Sequence, residues 1–594
     1  MAWTGPRLAG KLNVSRSFQG NLSVATIYGT AANDALGGTD DADTIGGGDG
    51  SDTIDGGNGN DTIQGDGLIS NPYATTANAD LIHGGNGDDY ITAGEGNDTV
   101  YGDAGNDGLL GGSGHDYLDG GDGNDQIDGF GEIGYGKDTE SDTLIGGNGD
   151  DFLSVAYGDN ADGGTGTDTI FFYFFNTPTP VHMDLNDLAN GGTMTIGGAT
   201  ITGIEYVGGV ILGGGDDYVA LGPTVPGYSG TELSGWDGND TLIGSSQVDS
   251  IYGGNGDDVI YGMGGFDSRI APGTDRLMGE SGDDKIYAGD DGALASGGDG
   301  NDLLKGGNGA DQLEGDNGDD TAIGGAGDDG LKGDGGNDYL QGGAGNDVVT
   351  GDDGNDHLYG QSNLGGADGA DTISGGNGID YIQGNAGNDS LDGGAQADRI
   401  NGGADNDRIN GGDGNDIVNG NMGNDTIYGG NGADSLRGGQ GDDQIQGDDQ
   451  LGGGNDTILG DLGNDTITGG HGADLLTGGP GADLFRFFTS GFYGPDSNTS
   501  ASDEITDFTP GEDHIQLSFL PTTLLTGNAA DSAGAITTAS ALMTAHAGFQ
   551  EVALIQVGSD TYLFASANGA SDNADTMVKL DGVTGSTITT ADFI

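Results

Sequence analysis

An aspartate recurs every nine residues between Gly375 and Arg486: Asp380, Asp389, Asp398, Asp407, Asp416, Asp425, Asp434 and Asp443, then, past one longer unit, Asp456, Asp465, Asp474 and Asp483. The same nine-residue step links Asp302, Asp311, Asp320, Asp329, Asp338, Asp347 and Asp356, and a longer unit follows with Asp371. Shorter runs upstream supply Asp52, Asp61, Asp89, Asp98, Asp107, Asp116, Asp125, Asp142, Asp151, Asp240 and Asp258. Carboxylates arrayed this regularly repel one another unless a cation lies between them. Hard oxygen donors at this density suit Ca²⁺, which accepts carboxylates and carbonyls in flexible geometry, whereas Mg²⁺ demands tighter geometry and keeps its waters. Zn²⁺ calls for His or Cys in tetrahedral sets, and the chain has no Cys. These aspartates are therefore read as calcium ligands.

The elements that position them follow from the rest of each nonapeptide. Gly411–Asn419 (GGDGNDIVN), Gly420–Tyr428 (GNMGNDTIY) and Gly438–Gln446 (GGQGDDQIQ) open on glycine, hold aspartate in sixth place and carry an aliphatic in eighth. Side chains alternate along a strand, so Ile427 points one way while Thr426 and Tyr428 point the other. The first six places, rich in Gly, Asn and Asp, read as a turn, with glycine supplying positive φ. Two nonapeptides then make one coil of a flattened parallel β-roll, each coil about 4.8 Å beyond the last. The aspartates fall on two edges. Asp389, Asp407, Asp425, Asp443, Asp465 and Asp483 form one rail; Asp380, Asp398, Asp416, Asp434, Asp456 and Asp474 form the other. The expected fold is all-β: a calcium-binding β-solenoid in two blocks with a β-rich C-terminal cap.

The pattern G-G-x-G-x-D-x-U-x, with U a large apolar residue, resembles the RTX (repeats-in-toxin, hemolysin-type calcium-binding repeat) family of secreted bacterial proteins. The resemblance implies many Ca²⁺ ions, each held by sixth-place aspartates of adjacent coils together with turn carbonyls. It also implies export by the type I machinery, which reads an uncleaved C-terminal signal. Gly481–Phe487 followed by Asp503–Leu520 is similar to the module that follows the repeats in serralysin-type proteases, and the ending Thr589–Ile594 (TTADFI) is similar to type I secretion tails.

Composition sets the conditions for folding. With 97 acidic against 14 basic residues, the net charge of −83 opposes compaction. One aliphatic rung per nonapeptide buries too little apolar surface to order nine residues of backbone. The repeats are thus expected to be unstructured without Ca²⁺ and to fold as it binds. The acidity excludes nucleic acid and anionic membranes as direct partners, and no apolar stretch approaches the ~20 residues of a membrane span. The N-terminal residues lack an apolar signal-peptide core. The expected location is extracellular or on a bacterial surface, reached without an N-terminal signal peptide.

Along the chain, residues 1–28 read as an N-terminal cap or anchor, 29–164 as the first roll block and 165–234 as a degenerate apolar insert. Residues 235–486 read as the second block, and 487–594 as the C-terminal β cap with the secretion signal. In the insert, the consecutive aromatics Phe171–Phe175 read as a strand buried on both faces, within wide, metal-poor coils. Asp217 holds a repeat-like place there. Gly262–Ala288 is irregular around Pro272, and no ligand is assigned to it. Ala322 takes an apolar place in its unit and should pack poorly. Val552–Asn568 reads as a hairpin turning at Gly558–Asp560.

The chain contains no HExxH and no G-x-S-x-G motif. A non-catalytic role follows, as an extracellular or surface-layer-like structural assembly. The alternative is an adhesin or effector that binds a glycan or host partner through its loop insertions. The partners expected are calcium, the secretion machinery, and either further copies of the chain or a surface glycan.

Overall fold

The computed structural model describes residues 13–16, 25–66, 78–130, 140–175, 177–188, 192–222, 231–245, 247–264, 275–290, 292–361, 369–448, 453–487, 502–546, 550–566 and 576–594. Two compact units divide the chain, Met1–Ala295 and Ser296–Ile594.

In the first unit, successive strands alternate between two facing sheets. Thr53–Asn58, Leu81–Asn86, Thr99–Ala104, Tyr117–Asp122, Thr143–Asn148 and Asn160–Thr165 pair in parallel in one sheet. Thr62–Asp66, Tyr90–Glu95, Gly108–Ser113, Gln126–Asp128, Phe152–Val155 and Thr169–Tyr173 pair in parallel in the other. The eighth-place aliphatics of both sheets point inward and are fully buried, among them Ile54, Ile82, Val100 and Leu118 from one and Ile91, Leu109, Ile127 and Leu153 from the other. At the start of the described chain, Asn13–Arg16 runs antiparallel to Ala25–Tyr28.

The second unit repeats this construction. Ile409 pairs with Ile427 and Ile427 with Ile445, eighteen residues apart. Where a unit is longer, the step grows but the register holds: Val349 pairs with Ile373 and Leu436 with Ile458. The extra residues include 362–368 and 449–452, which lie outside the described residues. Ala322, the shortest rung, is fully buried in line with Leu304 and Leu340.

Two expectations need correction. Thr169–Tyr173 is buried on one face only: Ile170 and Phe172 are inside, while Phe171 and Tyr173 are half-buried on the outer face. The outer aromatics cover one another instead of being covered by a further layer. Phe152 and Phe171 stack at 4.8 Å, Tyr173 and Phe175 stack at 5.8 Å, and Phe175 meets Trp236 edge-on at 5.8 Å. The run reads as continuously apolar because a coil's outer face is here hydrophobic too.

The second correction lies near the C-terminus. The hairpin is present, Glu551–Val557 against Asp560–Ser566, but the segment is not built from strands alone. A helix, α1 (Ser532–His546), lies across it. Asp531 caps its start by accepting the Gly534 N–H at 2.8 Å. Ala535, Ala539 and Met543, each four apart, pack onto Leu525, Ala553, Ile555, Phe564 and Met577. Strands Asp503–Ile505 and His514–Leu517 continue the two sheets of the roll, pairing with Leu475–Thr477 and Leu484–Phe487.

Candidate calcium sites

Each sixth-place aspartate is fixed by the coil before it. The backbone N–H of Asp389 donates to Oδ1 of Asp407 at 2.9 Å, Asp407 to Asp425 at 2.9 Å, Asp425 to Asp443 at 2.8 Å, Asp443 to Asp465 at 2.9 Å and Asp465 to Asp483 at 2.9 Å. On the other edge the same bond links Asp380, Asp398, Asp416, Asp434, Asp456 and Asp474 in turn. Both rails extend upstream within the unit, one through Asp302, Asp320, Asp338 and Asp356, the other through Asp311, Asp329, Asp347 and Asp371. In the first unit one rail runs through Asp52, Asp80, Asp98, Asp116, Asp142 and Asp159, and the other through Asp61, Asp89, Asp107, Asp125, Asp151 and Asp168. A further stretch joins Asp217, Asp240, Asp258 and Asp284. Every aspartate picked out from sequence is buried.

The second carboxylate oxygen has a different fate. Oδ2 of Asp98, Asp107, Asp116, Asp407, Asp425, Asp456 and Asp483 is buried and accepts no hydrogen bond. In all of these units but that of Asp98, which opens on Ala93, it faces the first glycine of its own unit. A Cβ on Gly111 would lie 2.7 Å from Asp116 Oδ2 and 2.6 Å from the carbonyl oxygen of Gly129, the residue one coil on. A Cβ on Gly102 would lie 2.5 Å from both Asp107 Oδ2 and the Gly120 carbonyl oxygen. The first place is thus tight for room and makes no demand on φ; alanine fills it at Ala93 and Ala288, both buried. The glycines in second and fourth place are required for φ: Gly430 sits at +107° and Gly432 at +134°.

Burial without a counter-charge raises these acids. It pushes Asp98, Asp258, Asp407 and Asp456 up to about 8, against the opposing pull of one backbone N–H each, and neighbouring carboxylates add to the rise. Asp398 and Asp465 rise to about 7 for the same reasons. A buried, unpartnered carboxylate oxygen beside a carbonyl oxygen is a donor set that a hard cation satisfies. Among the described residues no three His, Cys, Asp or Glu side chains converge. The oxygens on offer are those of the rail carboxylates and of backbone carbonyls, a set that fits Ca²⁺ and not Zn²⁺.

The family described as the RTX calcium-binding nonapeptide repeat (4 copies) matches residues 28–63, 75–109, 109–130, 138–158, 235–268, 271–291, 296–331, 332–362, 365–400, 392–427, 419–450 and 451–485, more than half of the chain. The chain belongs to this RTX family. Its repeats bind Ca²⁺ in many copies, and its fold is a β-roll. Among solved structures it is similar to the AlgE6R3 subunit of the Azotobacter vinelandii mannuronan C5-epimerase, 27% identical over 28% of this chain and 78% of that one, with a TM-score of 0.19. The AlgE6R2 subunit of the same enzyme is 27% identical over 28% of this chain and 91% of that one, with a TM-score of 0.19. No curated protein matches the chain.

The RTX rails hold more aspartates than the sequence reading assigned. Asp43, Asp80, Asp159, Asp168, Asp217, Asp275, Asp284, Asp503 and Asp513 occupy the same place, each offering a carboxylate oxygen to an N–H one coil earlier. Asp249 joins the same rail as the donor to Asp275, while its own Oδ2 accepts the N–H of Ser245, four residues before it. The apolar insert is therefore not poor in rail carboxylates, since Asp168 and Asp217 lie in it. The region around Pro272 carries Asp275 and Asp284, although none was expected there. Gly163–Phe171 (GGTGTDTIF) and Gly279–Tyr287 (GESGDDKIY) are complete repeat units and were legible as such. Asp159 and Asp503 have no motif around them and are placed by register alone, whereas Asp513 keeps the fourth-place Gly511 and the eighth-place Ile515 of a unit whose opening glycines are missing.

Proposed function

We propose that the sixth-place aspartates are the calcium ligands of a secreted RTX protein that folds on Ca²⁺ after export and has no catalytic role. The observation that carries this reading is the pair of buried rails. Each carboxylate gives one oxygen to a backbone N–H of the preceding coil, and on many of them the other is buried without a donor. Such rails resist folding in a low-calcium cytosol and favour it outside, where calcium modules work at about 10⁻⁴–10⁻³ M. Export through the type I machinery, placing the chain outside the cell or on its surface, agrees with that order of events.

In the same reading the folded rolls associate into an extracellular, surface-layer-like assembly, with Ca²⁺ bridging their acidic outer faces. Negative-stain microscopy of the purified chain tests it. Ordered sheets or filaments in millimolar Ca²⁺ that disperse on chelation are the expected result; monodisperse particles in both conditions overturn the assembly. One observation favours a second reading, binding of a glycan: Trp236 is 51% exposed at the end of the outer aromatic row, and aromatic faces pack well on sugar rings. Retention of the chain on a neutral polysaccharide matrix, lost on Trp236→Ala, would support it.

A further inference from the structure

Asp66 and Asp448 stand outside the sixth-place rails, yet both are buried, 7% and 3% exposed. Each is the second residue of a lengthened unit, Gly65–His83 and Gly447–Leu459. Elsewhere a second-place aspartate behaves differently. Asp103, Asp316, Asp334, Asp352 and Asp461 take φ between 66° and 73° and are not buried. Among the described residues with positive φ, Asp66 and Asp448 do not appear, and their side chains turn inward.

The two are held in the same way. Asp66 accepts the N–H of Glu95 at 3.1 Å and a side-chain hydrogen bond from Asn78. Asp448 accepts the N–H of His471, and that of Gly454 at 3.1 Å. Glu95 and His471 are third-place residues one coil on; Asn78 and Gly454 stand two residues before the sixth-place Asp80 and Asp456. One oxygen of each remains buried without a donor, Oδ1 of Asp66 and Oδ2 of Asp448.

Each of the two acids follows the first glycine of a candidate calcium position, and its charge acts on the aspartate of that position, Asp66 on Asp80 and Asp448 on Asp456. At Gly65 a Cβ would lie 2.5 Å from Asp80 Oδ2 and would meet the Ala93 carbonyl oxygen; at Gly447 it would meet Asp456 Oδ2 and the Gly469 carbonyl oxygen. The charges that act on each extra carboxylate are themselves carboxylates: Asp52, Asp80 and Glu95 around Asp66, and Asp434, Asp456 and Asp474 around Asp448. A hydrogen-bonding role in the turn accounts for one oxygen of each residue. It does not account for a second one buried among like charges, a placement met twice in matching surroundings.

We propose that Asp66 and Asp448 are additional metal ligands, each giving the calcium site of its lengthened unit a further carboxylate beside Asp80 or Asp456. The proposal rests on the reading of the rails as calcium sites. Ligand charge raises calcium affinity, so these two sites hold their ions more tightly than the sites around them that lack such an aspartate.

The test uses the full chain and Ca²⁺ alone. Wild type, Asp66→Asn, Asp448→Asn and the double variant are dialysed against limiting, buffered Ca²⁺, and retained calcium is counted by elemental analysis. Asparagine keeps an acceptor for the N–H donors while removing the charge. Each single variant is expected to lose one tightly retained ion, with affinity lowered roughly tenfold, and the double variant two. Asp66→Glu and Asp448→Glu keep the charge and should keep the ions; equal loss in the Asn and Glu variants assigns the residues to packing and overturns the proposal. Asp352→Asn, a second-place residue with left-handed φ, should change nothing. A double variant that retains as much calcium as wild type overturns this proposal alone, whereas a wild type that takes up none overturns the calcium reading of the rails as well.

Discussion

The backbone N–H of Asp407 donates to Oδ1 of Asp425 at 2.9 Å, while Oδ2 of Asp425 is buried and accepts nothing. Half of the carboxylate thus belongs to the backbone ladder and half is left buried without a donor. A buried polar atom without a partner costs roughly 1–3 kcal/mol, more for a charged group. Repeated along both rails, that cost exceeds the stability of an ordinary domain. Chelation should therefore abolish the β-signal in far-UV circular dichroism, and excess Ca²⁺ should restore it in a cooperative transition. A spectrum unchanged by chelator would contradict the arrangement.

The two halves of the carboxylate can be separated by mutation. Asp407→Asn keeps an acceptor for the Asp389 N–H but removes the charge; Asp407→Ala removes both. Asp407→Asn should lower calcium uptake and leave the calcium-saturated fold intact. Asp407→Ala should cost about 1–3 kcal/mol more, the penalty of a buried donor without its acceptor. Calcium-saturated thermal unfolding of the two variants reads the difference.

Protons should act in opposite directions with and without calcium. Burial raises Asp98, Asp407 and Asp456 to about 8, from an ordinary value of 3.8. In the calcium-free chain these groups stabilise the fold when protonated. Their contribution is complete below about pH 4 and is lost as the pH rises through about 8. Metal-free, dialysed protein should accordingly gain β-signal as the pH falls from 8 towards 5. With calcium present the proton competes for the same oxygen, so the calcium midpoint should move to higher concentration over the same interval. A midpoint independent of pH between 6 and 8 would mean that these carboxylates are not the ligands.

Most of this arrangement was legible because every unit restates its local chemistry. Gly, Asp and the aliphatic of Gly420–Tyr428 each report one physical requirement: space at the first place, a carboxylate at the sixth, burial at the eighth. Reading failed where a residue's role is set by a neighbouring coil. Asp159 and Asp503 enter the rails through register alone. Asp168 was missed because composition placed a boundary inside its own repeat unit. Phe171 and Phe172 are chemically alike, but only the pleat decides which of them faces water. Helix α1 carries Ala, Thr and Ser on much of its surface, so its apolar face of Ala535, Ala539 and Met543 stands out only once Ile555 and Phe564 lie against it.

Glycines of different places should respond differently to one methyl group. A Cβ on Gly102 would enter the gap between Asp107 Oδ2 and the Gly120 carbonyl oxygen, 2.5 Å from each. Gly102→Ala should cost roughly 1–3 kcal/mol by overpacking and lower calcium uptake at that turn. At Gly335, a third-place glycine without positive φ, the nearest atoms lie 3.8 and 4.0 Å from the added carbon. Gly335→Ala should be neutral or stabilising by about 0.4–1 kcal/mol, through the unfolded chain. Equal destabilisation by both variants would remove the argument that the first place is kept open for an ion.

Lys579 is a cation among three carboxylates: Nζ lies 2.8 Å from Glu504 Oε1, 3.3 Å from Asp581 Oδ1 and 3.6 Å from Asp560 Oδ2. Hydrogen bonds to Glu504 and Asp581 hold it in the charged form, with its pKa raised despite partial burial. Its strand, Thr576–Leu580, pairs in parallel with Asp503–Ile505, which in turn pairs with Leu475–Thr477 of the roll. Lys579→Met keeps most of the stem and leaves the acids facing one another where the C-terminal segment joins the last coils. The side chain is 21% exposed, so the expected loss is about 1–2 kcal/mol at low salt, shrinking as salt screens the remaining repulsion. Unfolding of the C-terminal segment, followed by hydrogen exchange in saturating calcium, should accelerate at low salt and recover at high salt. Calcium uptake by the repeats should stay at the wild-type level. Acceleration of equal size at both salt concentrations would assign Lys579 to packing, and loss of calcium uptake would show that the roll cannot fold without its C-terminal segment.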